Sequence, residues 1–587
     1  MTGWTNLMRG VSMGVGLLLA INAQSAVSQT AVAMPDQHSA AVAQQILDEG
    51  GHAVDAAVAA AFTLAVTYPE AGNLGGGGFM TLFAAEKKGA QPQPWFLDYR
   101  EKAPQAAVET MYLDKTGEVI PFRSLVGYQA SGVPGTVKGM WAAHQRFGRL
   151  PWARLLQPAI ELAQSGFIVP ESLAQTADWY QGWLNKKLAP AGQPESVAKR
   201  FQQFAAPIQA GQRWQQPALA KTLTRLAELG ESAFYQGPIA DQLVSAMQAG
   251  GGLITHRDLA DYDVRWRAPI RIDWLGYELV SAPPPSSGGV AIAQLLKMKQ
   301  LRQADFEQAM QAGQSDPMAL RTHFYAELAK RVYADRAEYL GDPDFVSVPT
   351  ERLLSKSYLK SRSEGIDLRA ISETESIQPG LAESTDTTHF SIVDAEGNAV
   401  SNTYTLNMPF GSGVVIEAAG FLMNNEMDDF SQKPGVPNVF GVIGGKANAI
   451  APEKRMLSSM SPTLLLQSQE DGSTQVVAAV GTPGGSSIIT SVFQTLVNVF
   501  EREMTAQQAV DATRVHHQLW PKNEIRYHPS LSESTQAELT LMGYQLKRHP
   551  YLGDVQLVVR QSDGTWAAAA DQRGRGVAKV WEAPNGS

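Results

Sequence analysis

The pattern of the chain changes abruptly between residues 386 and 387. Residues 372–386 show almost no apolar periodicity, which is typical of an exposed, mobile linker. Residues 389–394 then alternate like a strand, residues 395–398 resemble a turn, and residues 399–405 are rich in Val, Thr and Tyr. This is the pattern of a β-hairpin. The fold must therefore accommodate a hairpin that starts where a polar linker stops.

Thr387 stands at this junction, and its position has a chemical consequence. A threonine hydroxyl is a weak nucleophile unless a base lies beside it, and the α-amine of an N-terminal threonine can be that base because its pKa is about 7.7–8.0. An internal threonine has no such amine, so the Asp386–Thr387 bond would have to be cut first. If the turn centres between Glu396 and Gly397, Thr405 faces Thr388 within one or two residues, close enough to orient Thr387. A threonine taken alone is most often an ordinary strand residue.

Composition excludes several classes of protein. The chain has 587 residues, 44% of them hydrophobic and 18% charged, which fits a globular protein of two or more domains or one large body. The net charge of −9 argues against a nucleic-acid partner. The absence of cysteine removes disulfides, thiolate zinc sites and cysteine nucleophiles.

The N-terminus has the features of a secretory signal. Arg9 precedes an apolar run from Gly10 to Ile21, and small residues follow. Cleavage after Ser25 or after Ser28 fits the small-residue rule, and the product would be periplasmic or secreted. A membrane anchor is the alternative, but the run is shorter than the roughly 20 apolar residues that span a bilayer.

Three further features concern the arrangement of the elements. Residues 39–68 predict two helices, the first capped by Ser39 and the second, from Asp55 to Thr67, apolar on all sides and therefore buried. Four consecutive glycines, residues 75–78, predict a tight internal turn before a strand at 79–83. Residues 150–380 are mostly helical in pattern, with an interruption at Pro283–Gly289.

Three later segments carry polar groups suited to binding a small molecule. The acidic run 424–430 could bind a metal ion or an ammonium group, or form a solvated turn. The hydroxyls of residues 457–462 could hold a carboxylate. Residues 481–487 form a glycine turn before a helix, where backbone N–H groups suit an oxyanion.

Taken together and in this order, these segments resemble the gamma-glutamyltransferase family of N-terminal-nucleophile hydrolases. The resemblance covers nearly the whole mature chain. It rests on the following motifs: Gly72-Asn73-Leu74-Gly75-Gly76-Gly77-Gly78-Phe79, Asp98-Tyr99-Arg100-Glu101, Thr387-Thr388-His389-Phe390-Ser391, Thr405-Leu406-Asn407, Met427-Asp428-Asp429-Phe430, Leu457-Ser458-Ser459-Met460-Ser461-Pro462 and Pro483-Gly484-Gly485-Ser486.

The resemblance implies an α+β fold, an αββα sandwich in one compact body made of two autoproteolytic fragments. Residues 1–25 (or 1–28) would be the signal peptide, residues 26–386 a large subunit ending in the linker 372–386, and residues 387–587 a small catalytic subunit. The two would stay together as a heterodimer. The enzyme would move the γ-glutamyl group of glutathione or another γ-glutamyl amide to water or to an amino-acid or dipeptide acceptor, without a cofactor or metal.

The resemblance also assigns roles to residues. Thr387 would be the nucleophile for both autoproteolysis and turnover, with Thr405 supporting it. Arg100, Ser458 and Ser459 would bind the α-carboxylate of the γ-glutamyl group, since a guanidinium fork fits a carboxylate bidentately. The α-ammonium would be held by Asn407, Glu426 and Asp429. The oxyanion would accept hydrogen bonds from the backbone N–H groups of Gly484 and Gly485.

Two places depart from some relatives. Glu426 occupies a position that is Gln in some bacterial members, and it adds a negative charge beside the ammonium. Residues from Pro434 to Gly445 resemble the lid loop over the glutamyl pocket, and Phe440 stands where some members carry an aromatic hydroxyl that bonds to the residue equivalent to Asn407.

Other functions fit the chain less well. A glutaryl or cephalosporin-type acylase of the same fold would not need Asn407, Glu426 and Asp429 for an ammonium group. A periplasmic solute-binding protein would fit the signal peptide and the length, but it would give no reason for Thr387 after a polar linker. Two β-lactamase-like motifs, 357–360 and 115–117, occur in reversed order, and His516-His517 is interpreted as structural rather than as a metal site.

Overall fold

The computed structural model describes residues 29–86, 90–374, 377, 387–433 and 445–584. The predicted signal segment, the linker residues 378–386 with Asp386, and the predicted lid residues Pro434 and Phe440 lie outside these ranges. No helix within the described ranges is long and apolar enough to cross a membrane.

The helices fall mainly in the first two thirds of the chain. They are α1 Gln37–Asp48, α2 Ala53–Thr67, α3 Thr136–Phe147, α4 Trp152–Ser165, α5 Glu171–Lys187, α6 Ser196–Ala205, α7 Pro217–Leu229, α8 Ser232–Tyr235, α9 Pro238–Gly250, α10 His256–Ala260, α11 Gly288–Leu301, α12 Gln303–Gln311, α13 Pro317–Tyr339, α14 Thr350–Leu353, α15 Lys356–Glu364, α16 Ser487–Phe500, α17 Ala506–Asp511 and α18 Glu533–Met542.

The strands are distributed along the whole chain. They are β1 Gln29–Met34, β2 Gly77–Ala84, β3 Gln93–Tyr99, β4 Phe167–Ile168, β5 Arg213–Trp214, β6 Arg265–Arg267, β7 Ile270–Trp274, β8 Tyr277–Ser281, β9 Thr388–Val393, β10 Ala399–Thr405, β11 Val415–Ile416, β12 Phe421–Leu422, β13 Thr463–Ser468, β14 Thr474–Gly481, β15 Arg514–His516, β16 Glu524–His528, β17 Gln545–Arg548, β18 Gln556–Arg560, β19 Trp566–Ala570 and β20 Val577–Glu582.

Two antiparallel sheets form the centre of the molecule. The first has the order β20-β1-β9-β10-β2-β3-β6 and the second the order β19-β18-β14-β13-β8-β7. A buried layer of small and branched side chains, including Ala33, Val393, Ala479 and Val558, fills the space between them. Such alternating inward-facing residues are what two packed sheets require.

Helices cover the outer face of each sheet. One core joins the first sheet to α1, α2, α3 and α4, and a second core joins the second sheet to α11, α13 and α16. The order of layers is therefore helix, sheet, sheet, helix, which confirms the predicted αββα sandwich.

The first sheet combines strands from before and after the junction at residues 386 and 387, and strands from the two parts of the chain pair with each other. β1 lies between β20 and β9, pairing with both, and β10 pairs with β2 along its whole length. The parts of the chain before and after Thr387 are thus one folded body rather than two domains side by side.

The helix predictions for residues 39–68 hold with one correction. α2 is buried at every position, as its apolar circumference predicts. The prediction that Ser39 caps α1 was wrong, because Asp36 is the capping residue and its carboxylate accepts the N–H of Ser39 at 2.7 Å. Ser39 lies inside the first turn, and Asp is as good a cap as Ser.

The four glycines at the start of β2, residues 75–78, allow neighbouring backbones to approach closely. A Cβ on Gly76 would lie 2.0 Å from the carbonyl oxygen of Thr405, and one on Gly75 would lie 2.1 Å from that of Leu422. A side chain at either position would push away β10 or the strand β12. The prediction of a tight internal turn at residues 75–78 was wrong, because Gly75 forms a bridge to Met423 and Gly77 and Gly78 are the first residues of β2. The end of β10 packs directly against this extended glycine segment.

Candidate active site

Thr387 lies directly before β9, at the end of the central hairpin. β9 and β10 pair in a register in which Tyr404 faces Thr388. The prediction paired Thr405 with Thr388, so the observed register differs from it by one residue. This confirms the hairpin and its register within the expected margin. Thr387 and Thr405 are both buried, with 8% and 2% of their surface exposed.

A small cavity opens beside Thr387. Every residue predicted to act in catalysis or substrate binding lines it, apart from Gly484. The lining consists of Arg100, Thr387, Thr405, Asn407, Glu426, Asp429, Ser458, Ser459, Met460, Gly485 and Ile488. The sequence prediction did not include Met460 and Ile488, which are ordinary apolar residues with no chemical signal.

A buried charge cluster forms the floor of this cavity. The Arg100 guanidinium contacts Glu426 through Nη1 at 2.6 Å and Asp429 through Nη2 at 2.5 Å. Glu101, which the sequence analysis did not single out as a site residue, lies 3.6 Å from Nη1 of Arg100. Arg100 therefore faces three carboxyl groups, and a second cation, Arg336, also acts on Asp429. Arg100, Glu101 and Glu426 are each at most 1% exposed.

The protonation of this cluster follows from burial and from the excess of carboxyl groups. Burial raises the pKa of Glu426 well above its usual value, with Arg100 opposing and Glu101 adding to the rise. Burial likewise raises the pKa of Asp429 and brings that of Glu101 to about 8. Neither oxygen of Glu101 accepts a hydrogen bond within the described residues. Burial thus favours bound protons on the carboxyl groups of this cluster.

We expect Glu101→Gln to stabilise the protein more at pH 9 than at pH 5. The pKa of Glu101 is higher in the folded chain than in the unfolded one, so its contribution to stability is complete below about pH 4.5 and is lost as pH rises through about 8. A glutamine is neutral throughout and escapes that loss. Thermal unfolding at both pH values measures the difference between variant and parent.

The exposed Glu161, which accepts a hydrogen bond from Gln157, offers a matched control. Glu161→Gln should leave the difference between the two pH values unchanged. The raised pKa of Glu101 would be contradicted if the gain in unfolding temperature of Glu101→Gln over the parent were smaller at pH 9 than at pH 5.

Asn407 follows β10 and takes a backbone conformation that few residues adopt. Its φ is +78°, which asparagine tolerates better than most side chains. Its N–H donates to Oγ1 of Thr405 at 2.8 Å, and its Nδ2 donates to the carbonyl of Asn425 at 3.0 Å. The bond to Asn425 fixes the side-chain amide of Asn407 and therefore the direction of its oxygen. Asn407 lines the same cavity as Thr405 and Thr387.

Ser458 and Ser459 line the same cavity as Arg100. Oγ of Ser458 accepts the N–H of Met460 at 3.2 Å, and the carbonyl of Ser459 accepts the hydroxyl of Ser461 at 2.7 Å. The backbone carbonyls of Met456 and Leu457 accept hydrogen bonds from Arg100 at 3.4 and 3.2 Å. The serine loop and the guanidinium are therefore parts of one rigid assembly.

Gly484 and Gly485 form the turn that enters α16. Their φ angles are +132° and +56°, a region that suits glycine, and a Cβ on Gly484 would lie 2.7 Å from Oγ of Ser487. Within the described ranges, neither N–H donates a hydrogen bond to the protein. Two N–H groups at a helix start are suited to bind a negatively charged oxygen.

The remaining predicted residues lie elsewhere. Gly445 stands at the start of a short 3-10 helix, Lys446–Asn448, and its carbonyl accepts the hydroxyl of Ser431 at 3.1 Å. His516 and His517 are buried away from the cavity and bond to Thr490 and to the carbonyl of Glu524. Among the described residues, no group of three His, Asp or Glu side chains is arranged to hold a metal ion.

Comparison with known proteins identifies the family of this chain. Residues 39–581 match the family described as gamma-glutamyltranspeptidase. The chain belongs to the gamma-glutamyltranspeptidase family. Among curated gamma-glutamyltranspeptidases, a glutathione hydrolase proenzyme from Pseudomonas aeruginosa is 53% identical over 579 residues, covering 98% of this chain and 99% of that protein.

Solved structures agree with the family and the fold. A gamma-glutamyltranspeptidase from Pseudomonas nitroreducens complexed with L-DON is 50% identical, with a TM-score of 0.54 over 59% of this chain and 97% of its own. A cephalosporin acylase from Bacillus halodurans is 25% identical, with a TM-score of 0.79 over 95% of this chain and 96% of its own. Gamma-glutamyltranspeptidases and this acylase thus share the N-terminal-nucleophile hydrolase fold seen here.

Proposed function

We propose that this protein is a gamma-glutamyltransferase and glutathione hydrolase that is made as a precursor and activated by cleavage before Thr387. The observation that carries the proposal is the cavity in which Thr387 and Thr405 lie beside a buried cluster of Arg100 and several carboxyl groups. Such a cluster suits a ligand that carries both an ammonium and a carboxylate. The very similar glutathione hydrolase proenzyme supports this activity.

The γ-glutamyl group would occupy the cavity with its amino-acid end on the charge cluster. The guanidinium of Arg100 contacts Glu426 and Asp429. A substrate carboxylate would take over Arg100, with help from the hydroxyls of Ser458 and Ser459, while the released carboxylates would face the substrate ammonium. Asn407 would accept a hydrogen bond from the same ammonium.

The chemistry would begin with cleavage of the Asp386–Thr387 bond, which frees the α-amine of Thr387. That amine would take the proton of the Thr387 hydroxyl as its oxygen attacks the γ-carbonyl carbon, and the N–H groups of Gly484 and Gly485 would bind the resulting oxyanion. Collapse would expel the amine of the substrate, protonated by the same α-amine, and leave a γ-glutamyl ester. Water or an amino-acid or dipeptide amine would then cleave the ester.

The proposal also fixes the processing of the chain. Residues 1–25, or 1–28, would direct export and be removed, and residues 26–386 and 387–587 would remain together as two subunits. Glu426 would contribute a negative charge to the binding of the ammonium, which a glutamine at the same position would not. Intact mass measurement of the purified protein checks both cuts, because fragments starting near Ala26 or Gln29 and at Thr387 are expected.

The activity itself is tested by comparing two anilides, L-γ-glutamyl and glutaryl, which differ only in the α-ammonium. We expect kcat/KM to be on the order of 100-fold higher for the γ-glutamyl compound, because the glutaryl compound lacks the N–H donors of the ammonium and leaves buried acceptors of the site without partners. A cephalosporin-type acylase would prefer the glutaryl compound. Equal or reversed preference would therefore overturn the proposed function in favour of an acylase.

A further inference from the structure

The segment Pro283–Gly289, which joins β8 to α11 and includes the first two residues of α11, packs against the serine loop of the cavity, residues 457–462. Ser286 and Ser458 form a parallel bridge, and the N–H of Ser458 donates to the carbonyl of Pro285 at 2.9 Å. A Cβ on Gly288 would lie 2.0 Å from Oγ of Ser461, so only glycine allows this approach. The proposed function gives this segment no role, although it forms the wall behind Ser458 and Ser459.

Ser287 makes the most contacts to that loop. Its N–H and its hydroxyl both donate to the carbonyl of Ser458, each at 2.7 Å, and its Oγ lies 3.4 Å from Oγ of Ser459. Ser287 is 4% exposed and does not line the cavity. It therefore acts on the cavity through Ser458 and Ser459 rather than by touching a ligand.

Arg336, on α13, fixes the hydroxyl of Ser287. Its Nε donates to Oγ of Ser287 at 2.9 Å, which leaves the proton of that hydroxyl free to point at the carbonyl of Ser458. Burial lowers the pKa of Arg336 to about 10, so the guanidinium is still charged at neutral pH. Arg336 thus places a positive charge one hydroxyl away from the serine loop.

The orientation of Ser458 follows from these contacts. Its carbonyl is held by two donors from Ser287, and its Oγ accepts the N–H of Met460 at 3.2 Å. With that lone pair occupied, the hydroxyl proton of Ser458 can be directed into the cavity that its side chain lines. A hydroxyl held in this way is prepared to donate to an anion before the ligand arrives.

We propose that Ser287 is a positioning residue for the carboxylate end of the substrate, with Arg336 holding its hydroxyl in place. This inference rests on the proposed function, because it requires a γ-glutamyl substrate whose α-carboxylate meets Ser458 and Ser459. Removing the Ser287 hydroxyl leaves its N–H bond to Ser458 intact. The variant should therefore fold and still weaken the carboxylate contact.

Three anilides separate the carboxylate contact from the others. The L-γ-glutamyl compound has both charges, the glutaryl compound keeps the carboxylate, and the 4-aminobutanoyl compound keeps the ammonium. For Ser287→Ala we expect kcat/KM to fall about tenfold on the first two compounds, mainly through KM, and by less than about twofold on the third. Ser287→Thr, which keeps a hydroxyl, should restore much of the loss.

Ser281→Ala is the matched control, since Ser281 is also fully buried but bonds to Oγ1 of Thr463 on a neighbouring strand. It should leave the three rates in their parental proportions. Equal losses on all three compounds for Ser287→Ala, or no loss, would overturn the inference. If Ser287→Ala fails to fold, Arg336→Lys provides the second variant, with the same selective loss expected.

The outcome for the parent protein keeps the two proposals apart. A parent that does not prefer the γ-glutamyl compound to the 4-aminobutanoyl compound contradicts the proposed function itself. A parent with that preference and a Ser287→Ala variant with the same ratio contradicts only the role of Ser287.

Discussion

Replacing Thr387 with alanine is expected to leave one uncut chain without measurable γ-glutamyl anilide hydrolysis. The alanine removes the hydroxyl that would attack both the scissile carbonyl and the substrate, so both reactions fail together. Removal of a nucleophile typically costs on the order of a millionfold in kcat. A denaturing gel checks the cleavage, and a rate measurement on the same preparation checks the turnover.

Two neighbouring substitutions make this result specific. Oγ1 of Thr388 is buried and makes no hydrogen bond within the described residues, so Thr388→Val should be cut and active. Thr387→Ser keeps a hydroxyl and should be cut, with slower turnover. Two fragments and normal activity from Thr387→Ala would sink the assignment of the nucleophile.

Replacing Arg100 with lysine is expected to lower kcat/KM on γ-glutamyl anilide by on the order of 100- to 1,000-fold, because one ammonium cannot reproduce a fork that meets two partners. The same change leaves Glu426 and Asp429 to share one nitrogen in place of the two guanidinium nitrogens that they now contact. Activity should fall far more than stability, since a positive charge is retained in the cavity. Steady-state kinetics and thermal unfolding of the processed protein measure the two effects.

Arg575→Lys is the matched control, because it replaces an arginine that forms a largely buried ion pair elsewhere in the protein. Arg575 contacts Glu70 at 2.7 Å and lies over the ring of Tyr68, none of which lines the cavity. It should lower the unfolding midpoint while leaving kcat/KM close to that of the parent. If both lysine variants lose activity in proportion to stability, Arg100 has no special part in binding.

The sequence was most informative where a local rule fixes the geometry. The register of β9 and β10 follows from one turn, which is why the closeness of Thr387 and Thr405 could be predicted within one residue. The residues of the cavity were found because hydroxyls, carboxylates and glycines occur there in an ordered set of motifs. The family and the fold are confirmed, while the cleavage bond and the role of each site residue stay predictions.

Other features depend on contacts between distant parts of the chain. Ser287 meets Ser458 across more than 170 residues of sequence, and nothing near Pro283–Gly289 indicates that partner. Glu101 follows Arg100 directly, yet its isolation from hydrogen-bond donors appears only when the surrounding backbones are in place. β1 pairs with β20 at the opposite end of the chain, a pairing that no local periodicity encodes.

The position of β1 between β20 and β9 bears on what happens when the protein is heated and cooled. Before the cut, one covalent chain contains all the strands, and refolding is a first-order event at any dilution. After the proposed cut before Thr387, the strands of this sheet would belong to two separate chains. Refolding would then require a second-order encounter between them, and its yield would fall as the protein is diluted. Mature protein that has once come apart in a dilute medium would lose its partner, and its working lifetime is then set by how slowly it opens rather than by an equilibrium.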